Sequence, residues 1–232
     1  MGLCHCFCHC HRRPKNRPGE QVRARLALLM PAVRFFIADL HLGHANIIRY
    51  CRRPFSSADD MDEALLSAWE AVVRPGDEVW VLGDLALGRA PEALELAGLL
   101  PGWKFLVPGN HDRCWSGHKK GADKWRKEYE AAGFEVVDAP VEASLAGRGV
   151  LLDHFPYEGG SRETGRYLSH RPADRGGWLL HGHVHERWRQ RGRQVNVGVD
   201  AWGGRPVAEG ELAALIRSGP ADLGPLPWER KR

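Results

Sequence analysis

The sequence predicts a layered α/β domain with a mixed sheet. Two observations carry this. Short apolar runs alternate with amphipathic stretches in the order βαβαβαβ as far as residue 137, and after that the pattern is mostly β. The composition agrees: 232 residues, 43% hydrophobic and 27% charged, fit one soluble globular domain or two small ones. No stretch approaches the ~18 uninterrupted apolar residues of a membrane span.

Val33 to Ala38 is a short apolar run of buried-strand type. Ser57 to Val73 reads as a helix: Ser57 and Asp60 form a capping pair, and Met61, Leu65, Trp69 and Val72 share one face. Pro75-Gly76 stops it. Glu78 to Leu82 is the next strand. Pro91 opens a helix to about Leu99, at a position where a missing N–H costs nothing. Trp103 to Val107 is a third strand, Ala122 to Ala132 a helix ended by Gly133, and Phe134 to Val137 a fourth strand. Val141 to Leu145 and Gly149 to Leu152 flank a Gly-containing turn and read as a hairpin. Residues 156 to 177 are a long Gly- and Arg-rich loop, a length that suggests a functional role. Trp178 to Leu180 and Gln194 to Val199 are strands, and Glu211 to Arg217 is a last short helix. This assigns residues 30–217 to one domain, with 218–232 a Pro-rich tail expected to fray.

The formal net charge of +4 is unevenly placed. Residues 1–29 carry six basic residues and one acid, a surplus of +5, which leaves −1 on the rest. The body therefore gives no net-charge support to a nucleic-acid or membrane partner. Four of six cysteines, Cys4, Cys6, Cys8 and Cys10, lie in the same head. A disulfide-held secreted domain would spread them through the fold, so a reducing, cytoplasmic setting is expected. The head has no helical or strand period. It reads as an unstructured extension or as sequence upstream of a true start at Met30, and its Cys/His density would suit a soft metal.

Five segments follow predicted strands: Asp39-Leu-His41, Gly83-Asp84, Gly109-Asn110-His111-Asp112, His154, and Gly182-His183-Val184-His185. In α/β sheets, sites form where strands end, so these can converge. Carboxylate, imidazole and amide ligands without thiolate suit first-row divalent metals of middle hardness. A carboxylate such as Asp84 can bridge two cations ~3.5–4 Å apart, the spacing of two-metal hydrolytic sites. Any one segment alone is weak, since a lone Gly-Asp is usually a turn. Their order and placement together are what point to a metal site.

The ordered set Asp-x-His, Gly-Asp, Gly-Asn-His-Asp, a lone His and Gly-His-x-His resembles the calcineurin-like metallophosphoesterase superfamily. The stretches FFIADLHLGH (35–44) and NVGVDAWGGRP (196–206) resemble its small bacterial members. The resemblance implies a four-layer αββα sandwich with two metal ions on loops at one sheet edge. It implies Asp39, His41 and His185 on one metal, Asn110, His154 and His183 on the other, and Asp84 bridging. His111 matches the non-ligand His that contacts the phosphate and protonates the leaving oxygen, expected here as a cation. The implied reaction is hydrolysis of a phosphodiester or small phosphomonoester by direct attack of a metal-bridging hydroxide. Mn²⁺ is the first metal expected, with Fe, Zn and Ni behind it.

One departure stands out. Leu87 and Gly88 occupy the places where protein Ser/Thr phosphatases carry a second Asp and an Arg. Asp112 is the substitute partner for His111, with a turn-capping role as the alternative. Arg113 and Arg53 are the candidate substrate-binding residues, from a wider set of loop arginines that includes Arg49, Arg52, Arg162, Arg166, Arg171, Arg175, Arg187 and Arg189. Arginine forks suit phosphate oxygens and keep a nucleotide or nucleic-acid end among the substrates. Trp188 and Trp202 are candidates for base stacking or core packing, and His44 and His181 for outer-shell support. Other readings are a metal-handling protein working through the head, a nucleic-acid-end nuclease, and an amidohydrolase, which would want His-x-His on the first strand.

Overall fold

A computed structural model describes residues 31–118, 120–160 and 166–228. The chain divides into Met1–Pro31 and Ala32–Arg232, and the account below concerns the second unit. The Cys/His-rich head and Arg162 lie outside the described residues.

The βα alternation builds the first sheet. Strands β1 (Arg34–Ile37), β2 (Glu78–Val81), β3 (Trp103–Leu106) and β4 (Phe134–Val136) lie parallel in sequence order. Helices α1 (Ala45–Tyr50), α2 (Ala58–Val72), α3 (Ala90–Gly98) and α4 (Ala122–Ala131) occupy the crossovers. The Ser57 hydroxyl caps α2 by accepting from the Asp60 N–H at 3.1 Å. Alternation along β1 and β2 sorts the two faces. Phe35, Ile37, Val79 and Val81 pack with Met61, Leu65 and Trp69 of α2 and with Tyr129 of α4. Phe36, Ala38 and Leu82 face the other way, into a second core.

That second core joins the two sheets. Strands β5 (Val141–Leu145) and β6 (Arg148–Leu152) form the expected hairpin. Strand β7 (Trp178–His181) pairs parallel to β6 and to β9 (Gln194–Asn196). Strand β8 (Gln190–Gly192) pairs antiparallel to β9. Leu145, Leu152, Leu180 and Val195 meet Phe36 and Leu82 between the sheets. Strand β10 (Val207–Ala208) runs antiparallel along the outer edge of β1. Helix α5 (Glu209–Ser218) follows and adds Leu212 and Ile216 to this core. The fold is thus mixed α/β with two mixed sheets, as the motifs implied.

The tail departs from expectation. Ala221–Leu223 form strand β11 on β8, and Leu226 bridges to Trp202. Trp228 stacks edge-on against Phe55, with ring centroids 5.3 Å apart. A three-residue strand between prolines has no period to read. It exists because β8 presents unpaired amides and carbonyls. Among the described residues, no helix is long and apolar enough to cross a membrane.

Candidate metal centre

Parallel strands β1, β2, β3, β6 and β7 end on one side, and the five segments leave from those ends. The Asp39 N–H donates to the Gly83 carbonyl at 3.0 Å and the His41 N–H to the Asp84 carbonyl at 2.9 Å, so the first two loops stay paired beyond the sheet. Backbone crowding explains the glycines. A Cβ on Gly83 (φ +85°) would stand 2.5 Å from His154 Nδ1, and one on Gly109 would strike the Asp84 carboxylate. Asp39 (φ 58°), His41 (53°), Asp84 (55°), His183 (71°) and His185 (52°) are all left-handed, five of the eight non-glycine residues with positive φ among the described residues. Such clustering marks functional loops held by their surroundings.

The side chains converge. Asp39, His41 and His185 offer ligand atoms within 4.8 Å of one another, and so do Asp39, Asp84 and His154. All are buried. Both ring nitrogens of His41 are buried without a hydrogen-bond partner. His154 Nδ1–H donates to the Leu82 carbonyl at 2.9 Å, which turns the lone pair of Nε2 into the site. There it faces Asn110 Oδ1 at 3.2 Å and Asp84 Oδ2 at 3.5 Å. A ring nitrogen, an amide oxygen and a carboxylate oxygen meeting at these distances is an arrangement a cation satisfies. The other Asp84 oxygen accepts from the His111 N–H at 2.8 Å. The His183 N–H donates to both Asp39 oxygens, at 3.1 and 2.9 Å. The ring of His183 lies 5.2 Å from that of His154. The donor set thus fits a binuclear divalent centre.

The electrostatics point the same way. Burial raises Asp39 to about 6 and lifts Asp84 well above the usual carboxylate range, helped by the charges of Asp112 and Asp39. Burial also pushes His41 and His154 down, and His183 to about 3. His185 is the exception: burial alone would depress it, but the charge of Asp39 and the Asp200 and Cys51 side chains beside it raise it well above normal. Crowded carboxylates beside neutral imidazoles form a dry, electron-rich site.

Three expectations are corrected, and for Asp112 the turn-capping alternative is the one observed. Burial pushes His111 down to about 4, with His185 and other cationic neighbours adding to the effect, so its imidazole is neutral rather than cationic. Asp112 does not orient that ring. Its Oδ2 accepts from the Asp84 and Gly109 N–H groups at 2.7 and 2.8 Å, and its Oδ1 from the Leu85 N–H at 3.0 Å and the Tyr129 hydroxyl at 3.1 Å. It is a positioning residue that ties two site loops to α4. Arg53 is 3% exposed and is not a substrate anchor. Its Nε and Nη2 fork onto Asp200 at 2.9 and 2.8 Å, and its Nη groups donate to the Leu40 and Asp39 carbonyls. Arg113 stacks over Trp125 at 4.4 Å and does not line the cleft.

The cleft over the cluster, about 490 Å³, has His41, Asp84, Asn110, His111, His183 and His185 in its lining and is rimmed by His44, Tyr50, Arg166, Tyr167 and Arg171. His181 instead bonds the Gly182 carbonyl and packs on Trp188. Trp188 and Trp202 are buried, and the Trp202 indole N–H donates to the Asn196 carbonyl at 2.7 Å. Sequence reasoning passed over Asp200, which lies 3.5 Å from His185 Nδ1 and ties it to Arg53. A single Asp in a Gly-rich stretch carries no spacing signal.

Two mixed sheets with carboxylate, imidazole and amide donors converging at their strand ends fit a metal-dependent phosphoesterase. The chain belongs to the calcineurin-like phosphoesterase family, whose model matches residues 35–191. It is 33% identical over 195 residues to the Gene 66 protein of Mycobacterium phage L5, covering 78% of this chain and 93% of that one. It is 31% identical to the uncharacterised protein MJ1445 of Methanocaldococcus jannaschii, covering 80% and 92%. A solved structure, a protein of unknown function from Aquifex aeolicus, matches 80% of this chain and 100% of its own at 28% identity, with a TM-score of 0.60.

Proposed function

We propose that the chain hydrolyses phosphodiester or small phosphomonoester bonds at a two-metal centre. Asp39, His41 and His185 would hold one cation and Asn110, His154 and His183 the other, with Asp84 shared and Mn²⁺ the first metal to test. The convergence of His154 Nε2, Asn110 Oδ1 and Asp84 Oδ2 carries this reading. When bound, the cations supply a water acidified toward neutral pH and a positive clamp on phosphoryl oxygens.

The chain's own residues do the rest. The Leu82 carbonyl fixes the His154 tautomer, and the His183 N–H orients Asp39. The His111 N–H holds one Asp84 oxygen and leaves the other to the site. The neutral His111 ring lines the cleft and donates a hydrogen bond to an ester oxygen. Arg166 and Arg171, rather than Arg53 and Arg113, bring positive charge to the incoming phosphate. The free buried thiols of Cys51 and Cys114 support a reducing, cytoplasmic setting.

Turnover of bis-p-nitrophenyl phosphate with Mn²⁺, together with metal content per chain, tests the reading. Asp84→Asn and His183→Ala should each cost at least about a hundredfold in kcat and lower bound metal. Wild-type turnover in both would sink the assignment.

A further inference from the structure

Beyond β6 the chain serves two cavities. His154 enters the metal cluster, whereas its neighbours Asp153 and Phe155 line a separate cavity of about 190 Å³. Its walls are flat. Trp115 stands edge-on to His170 with centroids 4.8 Å apart, and 5.7 Å from Phe155. Tyr167 packs 5.6 Å from Trp115 and 6.0 Å from His183, so aromatic rings run without a break from the metal cleft to this cavity.

Asp153 and Arg171 line the same space, together with Asp138, Ser116 and Ser169. Asp153 is 2% exposed, and one of its oxygens accepts from the Phe155 N–H at 2.8 Å. Arg171 lines both cavities. Its Nη groups donate to the Tyr157 and Gly159 carbonyls, while its Nε is buried without a partner. Aromatic rings beside two carboxylates, Asp138 and Asp153, two hydroxyls and one guanidinium donor match a planar heteroaromatic ring that carries both N–H groups and lone pairs.

We propose that the cavity lined by Trp115, Asp153, Phe155, His170 and Arg171 is a nucleobase subsite, taking the base of a nucleoside phosphate ester whose phosphate lies in the metal cleft. The ester part of this rests on the phosphoesterase reading; the base recognition does not. Two ring-to-ring steps separate His183 from Trp115, one nucleotide's reach.

The test is binding to the Mn²⁺-loaded protein, with guanosine 5′-monophosphate against ribose 5-phosphate, read by calorimetry and tryptophan fluorescence. The nucleotide should bind at least about tenfold tighter, the scale of one base stacked on aromatic rings. His170→Ala, at an exposed ring, and Trp115→Ala should bring the affinity ratio toward one, and Trp115→Phe should keep most of it. Equal or undetectable affinities in the wild type, or an unchanged ratio in both alanine variants, would overturn the subsite. Turnover separates the two readings. If thymidine 5′-(p-nitrophenyl phosphate) and ethyl p-nitrophenyl phosphate are both inert while the binding preference persists, the phosphoesterase reading fails and the subsite stands. If both esters turn over equally and no binding preference is seen, the subsite fails and the phosphoesterase reading stands.

Discussion

Arg53→Met is the sharpest probe of how the site is held. The guanidinium makes two charge-assisted bonds to Asp200, at 2.9 and 2.8 Å, and donates to two backbone carbonyls, all of it out of water. Burial alone would raise the Asp200 carboxyl, but Arg53 and His185 hold it below the usual carboxylate range. Removing the guanidinium leaves a buried carboxylate with His185 beside it, and strands the Leu40 and Asp39 carbonyls. Breaking a buried pair from one side costs about 3–5 kcal/mol. For a domain of this size that is a fall in Tm of roughly 6–20 °C. Urea denaturation of the metal-free protein at pH 7 gives the number directly. The double variant Arg53→Met/Asp200→Asn should cost less than the two single changes summed, because the stranded charge is gone. If Arg53→Met instead unfolds within about 1 kcal/mol of wild type while KM for the ester rises, the pair is not structural and Arg53 does meet substrate.

Other outcomes follow from the same geometry. Asp112→Ala strands three buried amides and should destabilise by more than ~3 kcal/mol, whereas Tyr129→Phe removes one bond and should cost ~1 kcal/mol, both by urea titration. Asp62 accepts from the Gly43 N–H with one oxygen, and burial raises its carboxyl to about 6. A folded value above the unfolded one favours the fold below pH ~4, and that advantage is lost as pH rises through 6. Asp62→Asn should therefore gain ~1 kcal/mol over wild type at pH 8, after allowing for solvent screening, and nothing at pH 4. A thermal-melt series across that range measures it. Deleting residues 1–29 should leave kcat/KM within about threefold, under ~1 kcal/mol, since no proposed ligand lies there.

The strand-end motifs were legible because parallel strands deliver their C-terminal ends to one side. Any ligand placed one to three residues beyond an apolar run arrives at the same edge, as Asp39, Asp84 and His154 do. What the sequence hid was the direction of side chains. Arg53 follows the first site loop just as a phosphate-binding arginine would, and only its burial against Asp200, 147 positions away, shows that it serves the interior. Asp112 sits beside His111 in the chain, yet its carboxylate bonds amides 27 and 28 positions back. The short strands β8, β10 and β11 were illegible because two or three residues have no period; their pairing partners decide them.

The left-handed backbone at Asp39, His41, Asp84, His183 and His185 sets a ceiling on thermal robustness. Each such residue costs about 1 kcal/mol relative to ordinary backbone, and five together rival the net stability of many domains. Glycine would relieve the strain at every one of these positions and remove a proposed ligand each time. Selection for a hardier fold and selection for a working site pull in opposite directions at the same five residues. Stabilising changes must be sought elsewhere in the molecule.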